Sequence, residues 1–595
     1  MNFKSCIAAL LAVFILGMTT SCEDMFDITS NRVVYDHEIN STADSVYTTL
    51  GVLQCMRKVA DRYILLGEVR GDMCEINENT KTSLRNLANF NFDDENEYLN
   101  VRDYYAIINN CNYALAKMDT TLAINNQRVL LDEYAALQGI RAWTYLQLAI
   151  NYGEVPYYTY PVVTEADVEK AYAEGKKGVK AITEDLAPQL IPYLDYELPS
   201  FVQTQGGYPI LRLVLADLYL WSGDYENAAK YLEEFFMKNK KRSYSAQEGV
   251  YTAMQPGYFS LGGKFLEWDG EELLPMVKDL VPAGEEFYTS GVGAENLAHI
   301  KMEATGGDGL ISEVPSLFDP AEVGKSPLNP SSLWRTLSAQ QMVFKYAELK
   351  NDKDTLYRTT KLGDMRSSKY MLKSMTTDDA GLQEMIDVYG KHSSLYIQIY
   401  RRSIGYLRWA EALNALAKER YEVAADSAQL AEARNLAVNS FYLLKDASKV
   451  FFPDSSDVQK KFQFAETKYK EEFTGVHSRG CGDVARDSIY YVLGAKVVAN
   501  RLGKDVAELT FNDTIEYIDD LIIDELALES TLEGNRFGDL VRFARRRQTW
   551  GDAEYRDFLA KRVSERGGEE APADERQALY EKLSNSEEYW FLPFK

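Results

Sequence analysis

One segment, LVLADLYLWSGDYENAAKYLEEF, constrains the fold of this chain more than any other. Apolar residues recur in it at helical spacing, on both sides of a glycine that would turn the chain. Small residues stand where the two helices would touch, and aromatic residues stand where neighbouring pairs would meet. The positions concerned are Ala216, Tyr219, Gly223, Tyr225 and Ala228. A helical pair of this kind cannot bury its apolar face alone, so the segment predicts a stack of such pairs.

Two further segments show the same pattern. In YLRWAEALNALAKERYEVAADSAQLAEARNLAV the close-packing positions are Ala410, Ala412 and Ala415, and YAALQGIRAWTYLQLAINYGEVP is a degenerate third copy. The spacing is that of the tetratricopeptide helical hairpin. We therefore predict a mainly α protein built on a tetratricopeptide-like helical repeat scaffold.

The middle of the chain differs in composition from the two ends. Residues 239–400 are rich in Gly, Pro, Ser and Asp and contain short β-like runs such as YIQIYR. We expect an irregular, loop-rich lobe with short β-strands, inserted between an N-terminal helical region (41–238) and a C-terminal helical region (401–595). Loops fixed on a rigid frame commonly carry binding residues, so we assign ligand binding to this lobe.

The N-terminus resembles a lipoprotein export signal. Lys4 supplies a positive charge, Ile7 to Leu16 are apolar, and small residues precede Cys22. The apolar run is too short to span a bilayer. We expect residues 1–21 to be removed, Cys22 to be acylated and residues 22–40 to form a lipidated tether. Several acyl chains would hold the protein on a membrane. An ordinary secreted protein with a cysteine at this place is the alternative.

The charge of the chain limits its partners. With 90 acidic and 65 basic residues the formal net charge is −25, and the pI is about 4.8. Such a chain is a poor candidate for binding nucleic acid or anionic lipid head groups. Membrane attachment should therefore come from the lipid.

The cysteines beyond Cys22 give no metal spacing and no CxxC pair. We expect Cys55, Cys74, Cys111 and Cys481 to be buried as small apolar side chains. A Cys55–Cys74 or a Cys74–Cys111 bridge stays open at this point.

The search for catalytic motifs gives mostly negatives. The four histidines are far apart in sequence, and the chain has no HExxH, no P-loop and no GxSxG elbow. No motif in the sequence therefore supports a metal site, a cofactor site or a particular catalytic mechanism. The tripeptide RGD at Arg70 to Asp72 follows a helix directly, so we interpret it as a structural salt bridge or turn.

The segment ELALESTLEGNRFGDLVRF, from Glu525 to Phe543, also has a structural interpretation. A glycine would end one helix, and Arg536 would pair with Glu529 or Glu533. Asp539 and Arg542, three residues apart, would pair on the next helix. Leu540 and Phe543 would face the core.

Taken together, several of these segments resemble the SusD/RagB family. The export signal, ADRYILLGEVRGD, YYAIINNCNYAL, GIRAWTYLQLAINYGEVPYY, YRRSIGYLRWAEALN, the EGNRFGDLVRF segment and the terminal YWFLPF occur in the family's order. The resemblance covers essentially the whole mature chain. It implies an outer-membrane lipoprotein of Bacteroidota, anchored by lipid and facing the cell exterior. Glu23, Asp24 and Asp27 are similar to the family's surface-export signals.

The resemblance also implies a partner and a ligand. Family members cap a SusC-like TonB-dependent β-barrel transporter and help to capture oligosaccharides or, in some cases, peptides; they are not enzymes. Their ligand residues tend to come from the loop before the second helix and from the inserted lobe. In this chain the corresponding side chains that we expect to contact ligand are Asn77, Asn79, Phe92, Tyr98, Trp268, Tyr288 and Trp334.

Three functions remain open at this stage. Oligosaccharide capture for a nutrient importer is the leading one. The loop from Cys74 to Asn100 lacks the tryptophan that many glycan-binding relatives place there, which favours capture of peptide or glycoprotein fragments. A surface enzyme acting on glycans is the third, and it would need two carboxylates facing each other in a cleft. For each of Trp268, Tyr288 and Trp334, packing in the core is an equally good interpretation.

Overall fold

The structure is a computed structural model of the 595-residue chain. It describes residues 38–93, 95–196, 198–199, 207–238, 259–261, 264–266, 296–301, 328–340, 348–351, 354–357, 371–377, 383–389, 396–445 and 493–594. Cys22, Trp268, Tyr288 and Cys481 lie outside the described residues.

Helices make up most of the described chain, which confirms the mainly α prediction. In chain order they are α1 (Thr42–Arg57), α2 (Ala60–Glu68), α3 (Thr82–Ala88), α4 (Arg102–Lys117), α5 (Leu131–Tyr152), α6 (Glu165–Ala173), α7 (Val179–Leu190), α8 (Leu211–Ser222), α9 (Tyr225–Lys238), α10 (Ser332–Gln340), α11 (Arg402–Val423), α12 (Ser427–Lys445), α13 (Ala495–Leu502), α14 (Phe511–Glu529), α15 (Arg536–Thr549), α16 (Tyr555–Ser564) and α17 (Ala573–Asn585).

The strands are short and pair two by two, all antiparallel among the described residues. The pairs are β1 (Cys74–Ile76) with β9 (Leu328–Pro330), β2 (Ala123–Ile124) with β3 (Gln127–Arg128), β4 (Val155–Pro156) with β5 (Lys176–Lys177), β6 (Phe259–Leu261) with β7 (Lys264–Leu266), β8 (Asn296–Lys301) with β14 (Tyr396–Arg401), β10 (Glu348–Asn351) with β11 (Asp354–Tyr357), and β12 (Met371–Thr377) with β13 (Gln383–Tyr389). Eight of these strands lie between β5 and α10, or between α10 and β14, where the sequence predicts short strands.

The predicted helix–turn–helix is α8 and α9. Gly223 joins them with φ +83°, a left-handed conformation that suits glycine, and the Asp224 N–H donates to the Tyr219 carbonyl at 2.9 Å. Ala216 and Ala228 are fully buried, and the rings of Tyr219 and Tyr231 stack at 5.7 Å. The small residues and the aromatics therefore have the packing roles that their spacing predicts.

Neighbouring helices pack in a continuous series. α1 packs on α4, α4 on α5, α5 on α7, α7 on α8, α9 on α11, and α11 on both α12 and α14. The predicted second repeat is α11 with α12, and Ala410, Ala412 and Ala415 are fully buried in α11. One contiguous apolar core runs through the described helices.

The turn between α14 and α15 packs against α2 and so connects the N-terminal helices with the C-terminal ones. Gly534 has φ +82°, and the α2 backbone lies against it so closely that a Cβ on Gly67 would come within 1.8 Å of the Gly534 carbonyl oxygen. The Glu68 carboxylate accepts hydrogen bonds from the backbone N–H groups of Leu532 and Gly534 at 3.1 and 2.7 Å. Both glycines are required here because two backbones touch.

The ion pairs around this turn correct one sequence prediction. Arg536 pairs with Asp72, not with Glu529 or Glu533, which instead both bind Arg401. The helical spacing suggested a local partner, but the tertiary fold brings a residue of the N-terminal region closer. The predicted Asp539–Arg542 pair forms at 2.8 Å, and Leu540 and Phe543 are fully buried.

Other expectations from the sequence have clear outcomes. Arg70 and Asp72 are fully buried, so the RGD tripeptide is a structural element, as predicted. Cys55, Cys74 and Cys111 are free thiols, which excludes the two bridges considered; Cys74 and Cys111 are buried, whereas Cys55 is half-buried. The division into three regions stays a prediction.

No helix among the described residues is both long and apolar enough to cross a bilayer.

Candidate functional site

The β1–β9 ladder brings together the two regions in which ligand residues were expected. It pairs Cys74 with Pro330 and Glu75 with Asn329. Asn77 follows directly, and its side-chain amide donates to Asn329 Oδ1 at 3.1 Å. The loop before the second predicted helix and the edge of the inserted lobe therefore form one surface.

Asn77 and Asn79 have local structural partners in this surface. Asn77 Oδ1 accepts from the Asn79 backbone N–H at 2.9 Å, and the Asn77 N–H donates to Thr80 Oγ1 at 2.8 Å. Asn77 is half-buried and Asn79 is exposed. Ligand contact by these two amides stays a prediction.

Trp334 and Tyr98 are core residues. Trp334 is 0 % exposed and its indole N–H donates to Thr531 Oγ1 at 3.0 Å; Tyr98 is 5 % exposed and Lys81 lies 4.9 Å from its ring centroid. A sugar can stack only on a ring face that solvent reaches. The structure thus supports the packing interpretation of Trp334, and neither ring is part of the site described below.

Phe92 lies at the edge of a large open groove of about 1060 Å³. It is formed by the turn at residues 90–92, the end of α5, the start of α7, single side chains of α8, α15 and α17, and the C-terminal segment after α17. Its polar and aromatic lining includes Phe90, Asn91, Phe92, Glu154, Lys180, Glu184, Trp221, Arg545, Lys582, Glu587, Glu588, Tyr589 and Phe591. We call this cavity the groove.

Aromatic side chains form one wall of the groove. Tyr589 is 44 % exposed, the largest exposed fraction among the groove's apolar and aromatic side chains, and Phe92 and Phe591 are half-buried. The Arg545 guanidinium lies 4.8 Å from the Phe591 ring centroid, and the rings of Phe90 and Phe92 meet edge to face at 6.0 Å. Rings that are partly exposed and held by neighbours present fixed apolar surfaces to a ligand.

Lys582 fixes the turn that carries Phe92. Its ammonium group donates to the Phe90 carbonyl at 2.7 Å and to Asn91 Oδ1 at 2.8 Å, and it lies 5.6 Å from the Tyr589 ring centroid. Partial burial lowers the pKa of Lys582 from its ordinary value. The ammonium group therefore links Tyr589 to the turn at residues 90–92.

The backbone of this turn is itself unusual. Phe90 has φ +55°, a conformation that costs free energy in a bulky residue. Three contacts hold it there: its N–H donates to the Leu87 carbonyl at 3.1 Å, Lys582 binds its carbonyl, and its buried ring packs 5.4 Å from Phe537 of α15. The result is that Asn91 is exposed at the groove while Phe90 fills the core below it.

Glu154, Glu184, Glu587 and Glu588 are the carboxylates that line the groove. Glu587 has both oxygens occupied, Oε2 by Arg545 at 2.8 and 3.0 Å and Oε1 by the Tyr555 hydroxyl at 2.6 Å. It therefore acts as a support for the wall rather than as a free acid or base. No cluster of His, Cys, Asp or Glu suited to a metal ion occurs among the described residues.

Sequence reasoning missed most of this groove. It proposed Phe92 but not Asn91, Arg545, Lys582 or Tyr589. The terminal aromatic run YWFLPF, residues 589–594, was an available signal, because several large rings in a row at a chain end need a surface to pack on.

Comparison with solved structures decides the fold. A SusD-like carbohydrate binding protein of Bacteroides vulgatus matches with a TM-score of 0.50 and 12% identity, over 84% of this chain and 83% of that one. The chain has the SusD-like fold. A second B. vulgatus protein, provisionally named as sugar binding, matches with a TM-score of 0.50 and 16% identity, over 85% of this chain and 88% of that one. No protein-family model matches the sequence, and no curated protein matches it.

Proposed function

We propose that this SusD-like chain belongs to the SusD/RagB family and binds oligosaccharides at the cell surface through the groove. The observation that carries the proposal is the groove's wall, where the exposed Tyr589 and the half-buried Phe92 lie beside the Lys582 ammonium and the Asn91 amide. Sugars present apolar C–H faces and hydroxyl groups. A site that combines ring faces with directed polar groups matches both.

The fold supports binding rather than catalysis. Two solved proteins that share it are named for binding carbohydrate or sugar. In the groove, Glu587 is fully engaged by Arg545 and Tyr555, so it is unsuited to act as a glycosidase acid or base. These observations support binding, rather than catalysis, as the role of the groove.

The cellular setting of the proposal follows from the sequence. Acylation at Cys22 would attach the chain to the outer membrane, facing the exterior, and a SusC-like TonB-dependent transporter would take up what the groove captures. The acidic tether at residues 22–40 would let the body move relative to its lipid anchor up to Ile39, which is buried and donates its N–H to the Lys117 carbonyl at 2.8 Å. Neither a cofactor nor a nucleic acid is part of this proposal.

Peptide capture is the second candidate. The groove contains charged groups of both signs, among them Lys180, Arg545, Glu154 and Glu588. These could bind the charged ends and side chains of a peptide. The absence of tryptophan between Cys74 and Asn100 favours the same candidate.

Calorimetric titration separates the two candidates. Residues 28–595 contain every described residue and would be titrated with plant, host and microbial oligosaccharides and, in parallel, with mixed peptides. Saturable heat with one class of saccharide is the expected result. Saturation by peptides alone would replace the saccharide proposal with the peptide one.

A further inference from the structure

The aromatic lining of the groove continues beyond it. Phe591 and Pro593 line the groove, and Phe594 follows them with its ring 5.9 Å from Tyr105. From there the rings go on in similar steps, with Tyr105 to Tyr158 at 6.0 Å and nearly parallel, and Tyr158 to Tyr160 at 5.7 Å. We call Phe594, Tyr105, Tyr158 and Tyr160 the aromatic row.

A surface segment lies over this row. The segment comprises residues 163–177, with α6 and β5, and we call it the strap. Lys170 of the strap places its ammonium group 3.7 Å from the Tyr160 ring centroid, and Lys176 places its own 5.0 Å from the Phe594 centroid. The strap's lysines therefore occupy the two ends of the row.

Apart from these two lysines and Lys177, whose ammonium group lies 4.3 Å from the Tyr157 ring centroid, few side chains hold the strap down. Ala171 is the only buried side chain of the nine residues of α6, and β5 pairs with β4 over two residues. Contacts between a lysine and an aromatic ring are weak at exposed sites. Segments with so few buried apolar contacts are those that open most readily.

The ends of the strap are well defined. At one end, Val162 exchanges two hydrogen bonds with the Asn109 side chain, at 2.8 and 2.9 Å. At the other end, Gly175 has φ +78° in open space, and Gly178 lines the groove. A capping box at Thr164 stabilises α6 locally, so the helix can move as a unit.

We propose that the aromatic row is an extension of the groove and that the strap moves off it when an extended oligosaccharide binds. Sugar C–H faces would replace the ammonium groups of Lys170 and Lys176 on the rings of Tyr160 and Phe594, and the movement would have to uncover Tyr158, which is 9 % exposed under the closed strap. The inference rests on the proposed function and makes it more specific, because the preferred ligand is a chain of several sugar rings. Short saccharides would occupy the groove alone.

The closed strap lowers the apparent affinity for long chains, because only the open fraction of molecules can bind them along the row. Removing both lysine contacts in a Lys170→Ala/Lys176→Ala variant should therefore raise the affinity for long chains by about two- to fivefold per contact. Affinity for disaccharides should not change. Lys230→Ala is the matched control, since Lys230 lies 4.9 Å from the Tyr231 ring centroid on α9, away from the row.

The test is calorimetry with size series of maltooligosaccharides, xylooligosaccharides and oligogalacturonides. The Lys170→Ala/Lys176→Ala variant and the Lys230→Ala control are each titrated and compared with the wild type. Tyr160→Ala should weaken binding of the long members of the series that binds and leave the short members unaffected. Hydrogen exchange on the wild type provides an independent measurement, in which α6 amides should exchange faster than those of α7, and faster still when a long chain is bound.

The outcomes separate this inference from the proposed function. If short saccharides bind and lengthening the chain, the double variant and Tyr160→Ala all leave affinity unchanged, the groove stands and the extension is wrong. Equal exchange protection of α6 and α7, with and without a long chain, would also overturn the extension. If no saccharide of any length binds, the proposed function itself fails.

Discussion

The Arg536 guanidinium and the Asp72 carboxylate form a fully buried bidentate pair, with Nη2 and Oδ2 2.7 Å apart. The two residues are 464 positions apart in sequence. The same guanidinium donates to the Ile523 carbonyl at 2.8 Å. Through this pair the start of the described chain is joined to the C-terminal helices, on which one wall of the groove is built.

Removing Asp72 should strongly destabilise the fold. In Asp72→Ala the Arg536 charge stays buried without its carboxylate partner, and such losses cost about 3–5 kcal/mol. Denaturant unfolding measures the change. Glu97→Ala is the control, because the Glu97–Lys81 pair is exposed and should contribute less than about 1 kcal/mol. Equal, small losses in the two variants would contradict the importance of the buried pair.

Gly67 should not tolerate a side chain. An alanine Cβ there would lie 1.8 Å from the Gly534 carbonyl oxygen, which is part of the backbone and cannot turn away as a flexible side chain could. We expect Gly67→Ala to cost about 3 kcal/mol or more. Gly51→Ala, in α1 with no atom near its Cβ position, should instead be neutral or stabilising by up to about 1 kcal/mol. Thermal unfolding of the two variants makes the comparison; a stable Gly67→Ala protein would show that the α2 contact is looser than described.

Acid should weaken the start of α14. Desolvation raises the pKa of Asp513, but hydrogen bonds from Lys504 and Thr510 outweigh it and bring the pKa to about 2. Because the folded pKa lies below the unfolded value of about 3.9, the stabilisation is complete above that value and is lost as the pH falls toward 2. Asp513→Asn should therefore cost about 1–2 kcal/mol at pH 7 and almost nothing near pH 2. A pH-independent difference in unfolding free energy would argue against an electrostatic origin.

The aromatic wall should dominate ligand affinity. Tyr589→Ala or Phe92→Ala removes a ring face from the groove, and we expect each to weaken saccharide binding about tenfold, or about 1.4 kcal/mol. Tyr47→Ala is the matched control, because Tyr47 is 75 % exposed on α1, outside the groove. Calorimetry on the three variants with the saccharide that binds the wild type decides the point. Equal affinities in all three would place the ligand elsewhere.

Local patterns in the sequence were enough to predict the helical scaffold. The positions Ala216, Gly223 and Ala228 specify a helix–turn–helix through spacing alone, and α8 and α9 fold accordingly. The pairing of Asp539 with Arg542 was likewise predictable, since residues three apart meet on a helix. Contacts within one or two turns of helix are visible in sequence periodicity.

Contacts between distant segments were not predictable in the same way. Nothing in the spacing around Arg536 indicates Asp72, and Glu529 and Glu533 looked equally good as partners. The aromatic residues show the same limit. Trp334 packs inside the core and Tyr589 is exposed, although either side chain could stack on a sugar. Which ring faces solvent is decided by the tertiary neighbours.

The central claim is that the groove binds saccharide, and a crystal structure of the complex tests it most directly. Crystals would be grown with the oligosaccharide that binds most tightly in calorimetry. The account predicts sugar rings against Tyr589 and Phe92, with hydroxyl groups within hydrogen-bonding distance of Asn91 or Lys582. A saccharide bound at another surface, with the groove empty, would contradict it.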